Sequence, residues 1–135
     1  MTAPRLDLRV AQRAEATLQR VLDANNQRIP PEVLTRLRGL AVMLRTLGVP
    51  ATLAFFAGKA DRGKPLGRAY QAVLDALLTE LAHDGPALQV KDLFTRLERM
   101  PAPELMLAFA RLNAYAGWLR RLAEAWQHDM GGARG

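Results

Sequence analysis

The sequence predicts an all-α protein, a compact bundle of five or six helices that form a single domain over residues 1–135. A length of 135 residues is typical of one domain. Ala, Leu, Arg and Glu, which favour helices, dominate the composition. No segment alternates apolar and polar residues over a useful length, and the chain contains a single isoleucine, Ile29. Proline and glycine recur between the apolar segments, where they mark helix ends.

The first three helices are bounded by these signals. The first is predicted over residues 5–26, with one apolar stripe at helical spacing: Leu6, Val10, Ala14, Leu18, Val21 and Leu22. The second is predicted over residues 31–47, with Pro31 in its first turn and Gly48 as a left-handed cap. A short third helix, ATLAFFAGKA, follows Pro50. Because this helix is apolar on almost every side, we expect it in the core.

The second half of the chain predicts three more helices. The fourth is expected over residues 66–83 and ends at the Asp-Gly-Pro sequence that follows. The fifth is expected over residues 90–100. The last and longest is predicted over residues 103–130, which leaves residues 131–135 as a frayed tail. One face of this last helix predicts core packing: Leu105, Ala108, Leu112, Tyr115, Leu119, Leu122, Ala123 and Trp126.

The charge of the chain predicts an anionic partner. Sixteen Arg and three Lys against thirteen acidic residues give a net charge of +6. Nucleic acid, an acidic membrane surface and an acidic protein all fit this charge, and a solvated surface is the alternative without a partner. The excess of Arg over Lys is typical of a GC-rich genome and indicates a thermophilic source.

Several classes of site and location are excluded or disfavoured by composition. The chain contains neither Cys nor Ser, which excludes serine and cysteine nucleophiles, disulfides and thiolate metal sites. The segment MTAPRLDLRV lacks the apolar core of a secretory signal. No apolar run approaches the roughly 18 residues that would span a membrane. The sequence therefore predicts a cytoplasmic protein.

The segment FFAGKADRGKPLGR, residues 55–68, contains most of a phosphate-binding P-loop, namely Gly58 followed by Gly63-Lys64. The next residue, Pro65, offers neither the hydroxyl that binds Mg²⁺ nor an N–H for a phosphate. The preceding segment predicts a helix where a P-loop requires a strand, so the sequence argues against nucleotide hydrolysis. The segment instead predicts a flexible basic connection that binds phosphates by charge, or a solvated surface loop.

Basic residues cluster in three parts of the predicted fold. These are the connection above (Lys59, Arg62, Lys64, Arg68), one flank of the first helix (Arg5, Arg9, Arg13, Arg20) and the last helix (Arg120, Arg121). Such a flank can track a phosphate backbone, remain solvated or pair with acidic residues of a neighbouring helix. The sequence leaves these three alternatives open.

The sequence predicts neither a catalytic site nor a metal site. Glu124 and His128 lie one helical turn apart, but a metal needs three or four ligands, so we interpret them as a surface pair. The carboxylates are scattered singly, without a pair spaced for acid–base catalysis. We therefore expect no enzyme and no cofactor.

A candidate protein contact lies on the last helix. Leu107, Arg111 and Trp118 fall about a quarter-turn from its apolar face. Because Trp and Arg are enriched at binding hot spots, the pattern predicts a protein contact. The alternative is that another helix of the same bundle covers it.

Two segments resemble a known family. RTLGVPATLAFFAGKA, residues 45–60, resembles a Gly-ended helix followed by a Thr/Ala-Leu-Ala-Phe helix and a lysine. The last helix closes with WLRRLAEA, residues 118–125, which resembles an ending of Trp-Leu-Lys/Arg-Arg-x-Ala-Glu-Ala. Both segments are similar to the Cmr small subunit of type III-B CRISPR–Cas effector complexes. The small subunit of type III-A complexes, also helical and basic, is the alternative.

The resemblance implies a non-catalytic scaffold. Copies would stack along the complex beside the subunits that hold the guide RNA, and RNA cleavage would belong to other subunits. The implied partners are further effector subunits, copies of the chain itself, and guide and target RNA, without a membrane or a small-molecule substrate. The resemblance supplies no motif for the RNA contact, so its assignment to the three basic clusters rests on charge.

Two other functions remain open at this stage. One is a stand-alone helical DNA-binding regulator, which would need a helix–turn–helix with polar base-reading residues on its second helix. The apolar third helix counts against it. The other is an interaction module whose charge meets only an acidic protein surface.

Overall fold

A computed structural model describes the backbone of residues 3–132 and the side chains of residues 8–127. Over this range the chain forms six α-helices and one 3-10 turn, without a strand, which confirms the all-α prediction. The elements are α1 (Ala3–Ala24), α2 (Pro31–Thr46), α3 (Val49–Lys59), α4 (Pro65–Ala82), a 3-10 turn (Val90–Asp92), α5 (Leu93–Arg99) and α6 (Ala102–Gly132). None of the described helices is both long enough and apolar enough to cross a membrane.

Helix α4 lies at the centre of the bundle, where it packs against α1, α3 and α6. Leu77 and Leu81 are among its fully buried side chains, and they contribute to one continuous apolar core. Helix α6 packs against α1, α2 and α4 through the face that includes Leu112 and Leu119. The predicted apolar face of α1 is confirmed as core from Ala14 to Leu22, whereas the side chain of Leu6 lies outside the described residues.

Proline and glycine set the helix ends close to the predicted positions. Pro31 and Pro65 occupy first-turn positions, where the missing N–H costs no intrahelical hydrogen bond. Gly48 separates α2 from α3 with φ of 90°, a conformation that favours glycine. Helix α1 ends two residues before the predicted Asn26, because Asn26 and Gln27 adopt positive φ angles of 55° and 61°.

Two boundaries in the second half differ from the prediction. The predicted fifth helix is divided into a 3-10 turn and α5, because Asp92, with φ −103° and ψ 2°, departs from helical geometry. Helix α6 includes Gly131 and Gly132, which were expected in the tail. Residues 133–135, the rest of that predicted tail, lie outside the described residues.

Helix α3 is buried on one face rather than all round. Leu53 and Phe56 are fully buried, whereas Ala51, Ala54 and Gly58 are exposed. The ring of Phe56 lies 5.6 Å from that of Tyr70 on α4, and this aromatic contact fixes α3 against the central helix. The connection between these two helices is therefore anchored at both ends.

Candidate nucleic-acid interface

The connection between α3 and α4 forms a compact turn. The Oδ1 atom of Asp61 accepts a hydrogen bond of 2.8 Å from the backbone N–H of Gly63. The carbonyl of Asp61 accepts a second one of 3.3 Å from the N–H of Lys64. This pattern is an Asx turn followed directly by the first turn of α4. The segment expected to be a flexible connection therefore has a defined conformation.

Gly67 allows this turn to lie against α4. A Cβ atom at position 67 would stand 2.3 Å from the carbonyl oxygen of Asp61 and 2.4 Å from its Cβ. Such distances are far inside van der Waals contact, so any side chain at this position would displace Asp61. The glycine is required by this close approach, since Gly67 is not among the residues with positive φ.

The turn brings basic residues from separate predicted clusters together. Arg62 and Arg68 line an open depression of about 450 Å³ between α1 and α4, and Arg20 of α1 lines the same depression. The Nη1 atom of Arg68 donates a hydrogen bond of 3.2 Å to the backbone carbonyl of Arg62. We call this feature the arginine depression, and its remaining polar lining consists of Asp23, Gln71 and Asp75.

Two carboxylates offset part of the charge of the arginine depression. Asp75 accepts a bond of 3.3 Å from Arg20 and one of 2.8 Å from Gln71. Asp23 accepts hydrogen bonds from the side chains of Gln27 and Gln19. Both bonds lower the pKa of the Asp23 carboxyl group, and the bond from Gln27 has the larger effect. Arg62 and Arg68 form no ion pair with any described residue, so their charges are available to an anion.

The two lysines of the turn are exposed. Lys59 ends α3 with its Nζ atom 5.9 Å from the centre of the Phe55 ring, and Lys64 lies directly before α4. Neither lysine pairs with an acidic side chain in the described part of the chain. Together with Arg62 and Arg68 they form the segment that we call the basic turn, residues 59–68.

Arg13, predicted as a phosphate contact, is bound within the fold. Its Nε and Nη2 atoms donate to the carboxylate of Glu80 on α4, at 2.9 and 3.0 Å. This hydrogen bond raises the pKa of the guanidinium. The Tyr115 hydroxyl on α6 donates to the carbonyl of Arg13 and also bonds Thr17. Burial is the main cause that raises the pKa of Tyr115 to about 12.

The remaining basic candidates divide between α1 and α6. Arg9 is exposed one turn before Arg13, and the side chain of Arg5 lies outside the described residues. Arg120 pairs with Glu124 at 3.3 Å, and Arg38 of α2 shares the same carboxylate oxygen at 3.3 Å. Arg121 lies over the Trp118 ring, 5.4 Å from its centre. Arg13, Arg20 and Arg120 therefore have acidic partners inside the fold.

The predicted protein contact is only partly exposed. Leu107 is 63% exposed, and the neighbouring Met106 is 72% exposed. Arg111 and Trp118 are half-buried, and Trp118 packs against the core. Exposed apolar surface at this site is therefore concentrated at the beginning of α6.

The described residues contain no group of three His, Asp or Glu side chains that could hold a metal ion. Glu124 pairs with Arg38 and Arg120, and the side chain of His128, its expected neighbour, lies outside the described residues. Before its last residue, Lys59, the exposed positions of α3 carry Ala51, Ala54 and Gly58, which have no hydrogen-bonding side chain to read a base edge. A helix precedes the Gly-Lys sequence, as predicted, where a P-loop has a strand.

Sequence reasoning missed the acidic and amide part of this site. Asp23, Gln71 and Asp75 lie on α1 and α4 among ordinary surface positions, and nothing in their local pattern indicates that they meet. The turn at Asp61 was predictable from the sequence, since Asp-x-Gly is the pattern of an Asx turn. The close approach to Gly67 depends on tertiary geometry and has no local signal.

Comparison with known proteins gives one match. The family model described as CRISPR-associated protein (Cas_Cmr5) matches residues 9–126, which is most of the chain. Searches of curated protein sequences and of solved structures give no match.

Proposed function

This chain belongs to the CRISPR-associated Cmr5 family, the small-subunit family of type III-B systems, and we propose that it serves there as a non-catalytic, RNA-binding subunit. Its role is to bind the backbone of guide or target RNA without sequence preference, since pairing with the guide supplies the specificity. The family match supports the type III-B assignment over the type III-A alternative. We place the protein in the cytoplasm, in contact with companion subunits and stacked copies of itself.

The observation that carries this proposal is the distribution of ion pairs among the basic residues. Arg13, Arg20 and Arg120 have acidic partners within the fold, whereas Arg62, Lys64 and Arg68 have none among the described residues. A cation without an internal partner can bind a phosphate without first breaking an ion pair. Arg9 and Arg121 also form no ion pair with a described residue, but the basic turn brings four such cations together within residues 59–68 and is therefore the best candidate for the RNA contact.

The shape of this surface also suits a backbone rather than a base. The arginine depression is open, and its basic side chains come from α1, the turn and α4. Guanidinium groups bind phosphate oxygens through two parallel hydrogen bonds and do not depend on base identity. The exposed face of α3 carries only Ala51, Ala54 and Gly58 before the terminal Lys59, which argues against a sequence-specific DNA regulator.

The test compares two triple variants in the complex assembled with its companion subunits and guide RNA. The first, Arg62→Gln, Lys64→Gln and Arg68→Gln, removes the unpaired cations of the basic turn. The matched control, Arg45→Gln, Lys91→Gln and Arg99→Gln, removes the same number and types of charge from exposed positions elsewhere that form no ion pair with described residues. Binding of target RNA is measured at several salt concentrations.

We expect the first variant to weaken target-RNA binding and to flatten the log–log salt dependence by about 2. This value corresponds to three lost phosphate contacts at about 0.7 each. The control should retain most of the affinity and the original slope. Equal behaviour of the two variants, with both still assembled into the complex, would refute the basic turn as the RNA contact.

A further inference from the structure

Asp61 is an acidic residue in the middle of the basic turn, between Lys59 and Arg62. By charge alone, a carboxylate at this position opposes the binding of a phosphate. Its own contacts, however, are made within the turn. Oδ1 accepts a hydrogen bond from the N–H of Gly63, and the backbone carbonyl accepts one from the N–H of Lys64.

These contacts hold the backbone of Arg62 from both sides. Asp61, on one side of Arg62, accepts hydrogen bonds from the backbone N–H groups of Gly63 and Lys64 on the other side. The Arg68 side chain donates to the Arg62 carbonyl at 3.2 Å. The backbone and Cβ of Asp61 lie in the space that a Cβ on Gly67 would fill. Asp61 is thereby fixed against the first turn of α4, the same helix that carries Arg68.

We infer that Asp61 is a positioning residue for RNA binding, which holds the basic turn so that Arg62 joins Arg68 and Arg20 at the arginine depression. This inference rests on the proposed function, because it concerns the same surface. The benefit is preorganisation: a turn already held in its binding conformation loses less conformational entropy when the phosphate binds.

Two substitutions separate the charge of Asp61 from its hydrogen bond. Asp61→Asn and Asp61→Ala both remove the negative charge, but only Asn retains a side-chain oxygen that can accept the Gly63 N–H. On charge alone, both variants in the assembled complex would bind target RNA equally and more tightly than the unaltered chain. We expect D61A to bind about fivefold more weakly than D61N, the equivalent of one net hydrogen bond.

A further variant moves the turn without changing any charge, and a matched glycine substitution serves as its control. Gly67→Ala should displace Asp61 and weaken target-RNA binding. Gly58→Ala, at an exposed position of α3 with open space for a Cβ, should leave binding unchanged. Each variant is first checked for helix content and for assembly into the complex.

The outcomes distinguish failure of this inference from failure of the proposed function. If the Arg62, Lys64 and Arg68 variant weakens RNA binding but D61A and D61N bind equally, Asp61 has no positioning role. The same conclusion holds if G67A binds as tightly as G58A. If the triple variant binds RNA normally, the proposed function itself is wrong at this surface. Weaker binding by D61A than by D61N, together with weaker binding by G67A than by G58A, supports the inference.

Discussion

Glu80, only 7% exposed on the central helix α4, accepts both hydrogen bonds of its ion pair from the guanidinium of Arg13 on α1. A buried carboxylate without a cation is costly, so this pair is part of the contact between the two helices. Tyr115 and Thr17 extend the polar contact to α6. A residue selected from the sequence as a phosphate contact thus has a structural role.

Replacing Arg13 should destabilise the fold more than replacing Arg20. We expect Arg13→Ala to lower the free energy of unfolding by about 2–3 kcal/mol, because Glu80 stays buried without its cation. The figure lies below the full loss for a completely buried pair, since Arg13 is 47% exposed. Arg20→Ala breaks a pair in which both side chains are exposed and should cost less than about 1 kcal/mol. Denaturant unfolding measures both values, and equal losses would contradict this account.

The two tyrosines should ionise at unusually high pH in the folded protein. Burial raises the pKa of Tyr70 and of Tyr115 to about 12, from an ordinary value of 10.0. The unfolded chain therefore releases these protons first, so the stability they contribute is complete below pH 10 and is lost as the pH rises towards 12.

Near-ultraviolet absorbance of tyrosinate follows this titration directly. The chain has two tyrosines, so Tyr70→Phe and Tyr115→Phe should each remove half of the absorbance change. The change that remains in each variant then belongs to the other tyrosine. In a chemically denatured sample the same transition should move to about pH 10. A midpoint near 10 in the folded protein would show that neither hydroxyl is shielded as described.

Alanine at two glycines should change stability in opposite directions. Gly58→Ala adds a methyl group in open space within α3 and should stabilise the chain by up to about 1 kcal/mol. Gly67→Ala forces Asp61 away from α4 and should destabilise it by about 1–3 kcal/mol. Thermal unfolding of both variants tests the prediction, which fails if the two midpoints shift in the same direction.

Leu107 should be needed for contacts with other subunits rather than for folding. Because its side chain is 63% exposed, Leu107→Glu should change the free energy of unfolding by less than about 0.5 kcal/mol. We expect this variant to assemble poorly with companion subunits in size-exclusion chromatography. Leu8→Glu, at a similarly exposed position of α1, is the matched control. If both variants assemble normally, the beginning of α6 is not a protein contact.

Local features of the fold were predictable because they depend on neighbouring residues. Pro31, Gly48 and Pro65 mark helix ends through their own backbone chemistry, and helical spacing alone identifies the buried faces of α1 and α6. The division of the fifth helix was not predictable from spacing, since it depends on the backbone angles of Asp92.

The candidate site was predictable only in part. The density of charge at residues 59–68 is visible in the sequence, but the partners that neutralise other arginines are distant along the chain. Arg13 and Glu80 are 67 residues apart, and Arg20 and Asp75 are 55 apart. Glu80 did carry a signal, because it lies on the buried face of α4 between Leu77 and Leu81. A carboxylate at a buried position requires a cationic partner, but the sequence does not indicate which arginine pairs with Glu80.

The lack of internal ion pairs in the basic turn also has a kinetic consequence. Paired arginines contribute little to the electric field at a distance, because the carboxylate beside each one cancels most of its charge. Arg62, Lys64 and Arg68 form no ion pair with a described residue, so we expect them to contribute more to this field than Arg13, Arg20 and Arg120, which are paired. The basic turn should therefore attract an approaching RNA strand over a distance, and the association rate should fall steeply as ionic strength rises.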